Sequence, residues 1–430
     1  MFMKIRSIKA LEILDSRGNP TIETTVSLED GARGVAAVPS GVSTGSHEAV
    51  ELRDHDDRYH EQGVQKAIAN VDKISTKLLG AEAADQEAID QIMIDLDGTD
   101  NKSNLGANAI LSVSLAVACA QALSEKKPLF NYLTKFNPQH DGKYHLPIPL
   151  MNIMNGGQHA NWASDIQEYM ILPVGAKDFA EAMRCGAEVY AALKKVLQDE
   201  GYETAVGDEG GFAPQVKTND EPFDLISQAV TAAGYKMGQD VVLGIDAAAS
   251  EFYEKDKSSY HLRKAGQLTT EELSKFYQGL VAKYPIVSLE DIFAEDDWDG
   301  FATWLKKNPH LQLVGDDLYA TNLQRLQKGI KQKATNSILV KLNQIGTLSE
   351  TIAVILAARQ AGLTSIISHR SGETEDTFIA DLSVAMGTGQ IKTGAPARSE
   401  RTAKYNRLLH IADQLESQAT YAVWPFGLSQ

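Results

Sequence analysis

Six short apolar runs, each closing on an ionisable residue, dominate the second half of the chain. They restrict its fold more than any other feature. They read VVLGID (241–246), IVSLED (286–291), LQLVGDD (311–317), SILVKLN (337–343), SIISHR (365–370) and GQIKTG (389–394). Apolar runs of this length, without polar alternation, mark strands buried on both faces of a parallel sheet. Helical stretches separate them. TTEELSKFYQGLVAKYP pairs Thr269 with Glu272 as a capping box and carries apolar residues at 273, 276, 280, 281 and 284. TLSETIAVILAARQAG repeats the plan with Thr347, Glu350 and a closing Gly362. The residues that end the runs are Asp246, Glu290, Asp316, Lys341, Arg370 and Lys392, spaced by 44, 26, 25, 29 and 22 residues. Most gaps fit one strand–helix unit, and the longest holds the polar insert EFYEKDKSSYHLRKAGQ. Six such units build a closed barrel or an open doubly wound sheet. In both, the C-terminal strand ends converge on the functional site.

The order of the closing residues is three acids, then three bases. Carboxylates about 4 Å apart repel by about 4 kcal/mol per pair at an effective dielectric of ~20. They must protonate, separate, pair with the bases or hold a cation. Oxygen ligands without a His or Cys partner suit a hard ion such as Mg²⁺. A cation beside Lys341, Arg370 and Lys392 would make the pocket positive and call for a substrate with several negative charges. Lys341 lies between the acids and Arg370. Neighbouring cations would lower its pKa, so it is expected either to act as a general base or to pair with substrate.

The first 140 residues differ. NPTIETTVSLEDG alternates as a half-buried strand, residues 40–46 form a Gly/Ser/Thr loop, and NAILSVSLAVACAQAL (108–123) reads as a buried helix too short to span a membrane. This is a small α+β unit. The N-terminus lacks a signal-peptide apolar core. Net charge is −16, from 57 acidic and 41 basic residues, which argues against direct nucleic-acid binding. Cys119 and Cys185 are too few for a disulfide framework; both are expected to be buried free thiols, which fits a reducing cytosol.

Two further stretches add polar groups. VGDEGGFAP (206–214) sets Asp208 and Glu209 among glycines between helical patterns at 177–199 and 221–234. MNIMNGGQHANWASDIQEYMILP (151–173) offers His159, Gln167 and Glu168. A base, an acid and a metal together suit proton abstraction beside a carboxylate followed by loss of a leaving group.

These stretches closely resemble the enolase family. PSGVSTGSHEAVELRD, NGGQHA, GDEGGFAP, YPIVSLEDIF, NSILVKLNQIG, SHRSGETEDT and KTGAPARSERTAKYN stand in family order, and the resemblance runs from residue 14 to 411. It implies an N-terminal α+β domain (1–138) and a C-terminal irregular (β/α)8 barrel (139–430). In that barrel a hairpin and a helix pair precede the six units, and Glu168 begins an antiparallel strand. It implies reversible dehydration of 2-phosphoglycerate to phosphoenolpyruvate. Asp246, Glu290 and Asp316 would hold one Mg²⁺, with Asp317 the lesser member of its pair. Ser43 would join substrate oxygens around a second Mg²⁺. Lys341 would be the base, and Glu209, assisted by Glu168, the acid. Arg370 and Ser371 would hold phosphate and Lys392 the substrate carboxylate, with His159, Gln167 and His369 lining the pocket. The family further implies a homodimer or an octamer of dimers, a cytoplasmic location, and in some cases a surface or secreted pool with a scaffold or RNA-processing role. Gln158, Ile292 and residues 161–164 depart from the usual pattern but touch none of the named positions.

Overall fold

A computed structural model describes residues 3–41 and 45–428 of the 430-residue chain. Its N-terminal part is an antiparallel sheet of β1 (Ile5–Leu14), β2 (Pro20–Leu28) and β3 (Arg33–Ala37), backed by α1 (Gln65–Leu78), α2 (Gln86–Asp97) and α3 (Ala107–Ser124). Alternation along β2 leaves one face on the helices. α3 is apolar around its whole circumference because it is enclosed: it contacts β2 and β3 on one side and α1 and α2 on another. It is long and apolar enough to cross a membrane, yet most of it is buried within the protein. Its approach to β3 is close enough that a Cβ at Gly34 would lie 2.1 Å from the Ala120 amide nitrogen, so only glycine fits there.

The described residues of the second part close eight strands into one barrel. A hairpin of β4 (Ile148–Asn155) and β5 (Glu168–Leu172) comes first, followed by helices α4 (Phe179–Asp199) and α5 (Glu221–Ala232). Six strand–helix units follow. Their strands are β6 (Val242–Asp246), β7 (Ile286–Glu290), β8 (Gln312–Gly315), β9 (Ser337–Val340), β10 (Thr364–Ser368) and β11 (Gln390–Lys392). Their helices are α6 (Thr270–Lys283), α7 (Trp298–Lys307), α8 (Leu323–Gln332), α9 (Leu348–Gln360), α10 (Phe378–Met386) and α11 (Ser399–Leu415). β5 runs antiparallel to both neighbours, pairing Glu168 with Asn155 and with Asp246; the other barrel pairings are parallel. The expected capping box of Thr269 and Glu272 is present at α6, and Thr347 caps α9.

The period of two along a strand places the site above an apolar floor. Ile148, Leu150, Met170, Leu172, Val242, Val287, Val314, Leu339 and Ile366 pack together inside the barrel, closed from below by Trp424. Two residues on from Leu150, Val314 and Leu339, the same strand faces present Asn152, Asp316 and Lys341. In reversed β5 the order inverts, and Glu168 lies two residues before Met170. In β7 the pairing register shifts between Ile286 and Ser288, so Val287 joins the floor while Glu290 reaches the mouth. The two parts meet at this mouth. Ser40 and Gly372 exchange backbone hydrogen bonds of 2.8 and 3.0 Å, tying the start of the Gly/Ser/Thr loop to the end of the SHRS segment. Cys185 is buried as expected; Cys119 is only partly so, because its edge of α3 lies near the surface.

Candidate active site

Lys392 is the centre of the mouth. Its ammonium is buried and lies 2.8 Å from Glu290, 3.0 Å from Asp246 and 3.1 Å from Glu168. Burial alone would lower its pKa, but the carboxylates of Asp246, Glu168 and Glu290 outweigh it and raise the group well above its usual range. Glu290 is raised well above the carboxylate range by burial and by Asp246 beside it. Glu168 is raised by burial and then by Glu209.

Lys341 corrects one expectation. Its Nζ bonds to the carboxylate of Asp316. Burial lowers its pKa, as do Arg370 and Lys392, but Asp316, with help from Asp317, prevails and the net shift is upward. Arg370 and Lys392 do press it down as expected, but the Asp316 carboxylate is in direct contact. Asp316 itself is held below its usual range: burial pushes it up, and Lys341 more than reverses that.

The acids also pair differently from the expected triad. Oxygens of Asp291, Asp316 and Asp317 lie within 4.8 Å of one another. Asp291, which sequence reasoning missed, accepts the backbone N–H groups of Asp316 at 2.9 Å and Asp317 at 2.7 Å. Burial raises both Asp291 and Asp317 well above the carboxylate range, helped by Asp317 and Asp316 at the first and by Asp316 at the second. Lys392 stands between Asp246 and Glu290 and holds those two. The donor set nonetheless fits a hard divalent ion. Every candidate ligand offers carboxylate oxygen, and Oε2 of Glu290 is buried with no hydrogen-bond partner among the described residues. Asp246, Glu290 and Asp316, or the group of Asp291, Asp316 and Asp317, could offer its ligands.

Arg370 grips Glu48 with both arms, at 2.8 and 3.2 Å, and bonds Asn343 at 3.0 Å. Glu209 accepts from Asn152 at 2.8 Å and lies 3.8 Å from Nε2 of His369. Gln167, Glu168, Glu209, Lys341, His369, Arg370, Ser371 and Lys392 all line one cavity of about 30 Å³, with Asp246 and Asp316. Ser43 lies outside the described residues, and the side chain of His159 is likewise not described. Glu48, Asn152, Asp291, Gln344 and Arg401 are the contacts that strand-end reasoning missed. Gln344 donates to Asp316 at 2.9 Å. One of them carried a signal: Asn152 is an amide inside a wholly buried strand.

Family models match almost the whole chain. The N-terminal domain of enolase matches residues 5–133, and the C-terminal TIM barrel domain of enolase matches residues 143–427. The chain belongs to the enolase family. The barrel with its one reversed strand is therefore an enolase barrel, and family membership points to a lyase of enolase type acting on a small molecule.

Proposed function

We propose that this enolase-family chain is a phosphopyruvate hydratase that converts 2-phosphoglycerate reversibly to phosphoenolpyruvate and water. The observation that carries the reading is the convergence of Lys341, Arg370 and Lys392 with Glu168, Glu209, Asp246, Glu290 and Asp316 around one buried mouth. Such a site offers a base, an acid, anion-binding cations and hard oxygen ligands together.

Bound Mg²⁺ would supply positive charge for the extra negative charge that develops on the substrate carboxylate. Asp246, Glu290 and Asp316 would hold one ion, and Ser43 would help hold a second. With Asp316 so engaged, Lys341 loses its nearest anion and keeps Arg370 and Lys392 as neighbours, which favours its neutral form. Lys341 takes the C2 proton. Glu209 then gives a proton to the departing C3 hydroxyl, the C3–O bond breaks, and water leaves. Glu168, whose pKa is pushed up by burial and by Glu209, favours keeping a proton on that pair. Arg370 and Ser371 take the phosphate and Lys392 the carboxylate, while Gln167, His159 and His369 enclose the substrate. The proposal includes a cytoplasmic enzyme that forms a homodimer or an octamer of dimers, which sedimentation would resolve.

Exchange in D₂O separates the two proton steps. Glu209→Gln is expected to retain exchange of the C2 hydrogen of 2-phosphoglycerate while losing phosphoenolpyruvate formation. Lys341→Ala is expected to lose both. Retained C2 exchange in Lys341→Ala refutes its role as the base.

A further inference from the structure

Arg401, on α11, is a fully buried arginine that takes no part in the acid and base assignments above. Nη1 donates to the carbonyl of Arg370 and also faces Nδ1 of His369, each at 2.6 Å. Nη2 donates to the carbonyls of Ser371 at 2.6 Å and Asp208 at 3.1 Å. One guanidinium thus ties together the SHRS segment and the loop that carries Glu209.

A guanidinium has only donors and does not release its proton in proteins. An imidazole nitrogen 2.6 Å from it must offer a lone pair, so Nδ1 of His369 is bare. The ring is also neutral. Burial holds its pKa well below the usual range, and the cations of Arg401, Lys392 and Lys341 add to this against the pull of Glu209. The single ring proton therefore sits on Nε2. That atom is buried, has no hydrogen-bond partner among the described residues, and lies 3.8 Å from Oε1 of Glu209.

We propose that Arg401 is a positioning residue that locks His369 as the Nε2–H tautomer. His369 is then a fixed hydrogen-bond donor facing Glu209, and neither an imidazolium partner nor a proton-transfer group. The consequence for turnover rests on the reading of Glu209 as the acid. Once Glu209 has passed its proton to the C3 hydroxyl, Asn152 donates to one carboxylate oxygen and the other faces Nε2–H. The hydrogen bond from Asn152 and the positive end of the Nε2–H dipole 3.8 Å away both favour the ionised form. In the opposite tautomer a nitrogen lone pair would face that carboxylate and oppose the step.

The test is two-bond ¹H–¹⁵N correlation on full-length protein labelled with [¹⁵N]histidine, in chelator. The His369 resonances are assigned by their loss in His369→Gln and, independently, by their displacement in Glu209→Gln. The expected pattern is an unprotonated Nδ1 and a protonated Nε2 that do not change from about pH 6 to 8, where ordinary histidines titrate. A protonated Nδ1, or a ring that titrates in this range, overturns the proposal. Arg401→Lys keeps the charge but loses the fork; it is expected to populate the Nδ1–H form and to lower kcat roughly a hundredfold. A folded Arg401→Lys with the wild-type tautomer and rate also overturns it. If that variant does not fold, the wild-type spectrum alone decides. The spectrum needs no turnover, so a failed dehydration assay would sink the reading of Glu209 without touching the tautomer.

Discussion

Replacing Lys392 by methionine removes a buried ammonium and leaves its three carboxylates in place. The contacts of 2.8, 3.0 and 3.1 Å are each worth about 5–6 kcal/mol at an effective dielectric of ~20. Most of that sum is offset by the cost of burying the lysine, and part of the rest is recovered because Glu168 and Glu290 can protonate. The net loss from breaking such a buried group is ~3–5 kcal/mol. At ~2 °C per kcal/mol for a large domain, the melting temperature in chelator should fall by roughly 6–10 °C. Mg²⁺ should stabilise the methionine variant more than wild type, because no ammonium then competes for Asp246 and Glu290. Differential scanning calorimetry at one scan rate, in chelator and in Mg²⁺, reads both effects. A variant as stable as wild type in chelator would refute the electrostatic account of the mouth. Equal stabilisation of both proteins by Mg²⁺ would refute the assignment of those two acids as its ligands.

Two further predictions concern the frame around the site. Asp90, on α2, accepts from the backbone N–H and hydroxyl of Ser349, and burial raises its carboxyl from 3.8 to about 6. A raised carboxyl contributes stability that is present below its unfolded pKa and lost as pH rises through its folded one. The stability of wild type relative to Asp90→Asn should therefore fall by about 3 kcal/mol between about pH 4 and 7, measured by urea unfolding; a flat difference contradicts the assignment. Trp424→Ala should cost about 3–5 kcal/mol by removing the barrel's lower plug, while Val423→Ala, 87% exposed, should cost almost nothing. Equal effects of the two in urea unfolding would contradict the plug.

The strand-end acids and bases were legible because each closes a short apolar run, and for two of them the period of two along a strand also links the residue to the apolar floor. Val314 and Asp316, or Leu339 and Lys341, are two positions apart in the sequence and one layer apart in the barrel. Glu168 escaped that rule: its strand runs backwards, so it precedes its floor residue Met170, and the sequence offered it as a polar group whose role only the family resemblance supplied. Contacts made across the chain left no local trace. Glu48 lies 322 residues from Arg370, and Arg401 is one polar residue in a helix whose exposed face has many. The direction of the Lys341 shift was also out of reach. It depends on whether Asp316 or Arg370 is the nearer charge, and spacing along the chain does not encode that distance.

The most direct test of the account is the ultraviolet appearance of phosphoenolpyruvate from 2-phosphoglycerate, for wild type and Lys341→Ala, each with Mg²⁺ and with chelator. The account predicts product from wild type in Mg²⁺ only, and at least a hundredfold less from Lys341→Ala. Well-folded, Mg²⁺-loaded wild type that forms no product, or Lys341→Ala that forms it at the wild-type rate, would contradict it.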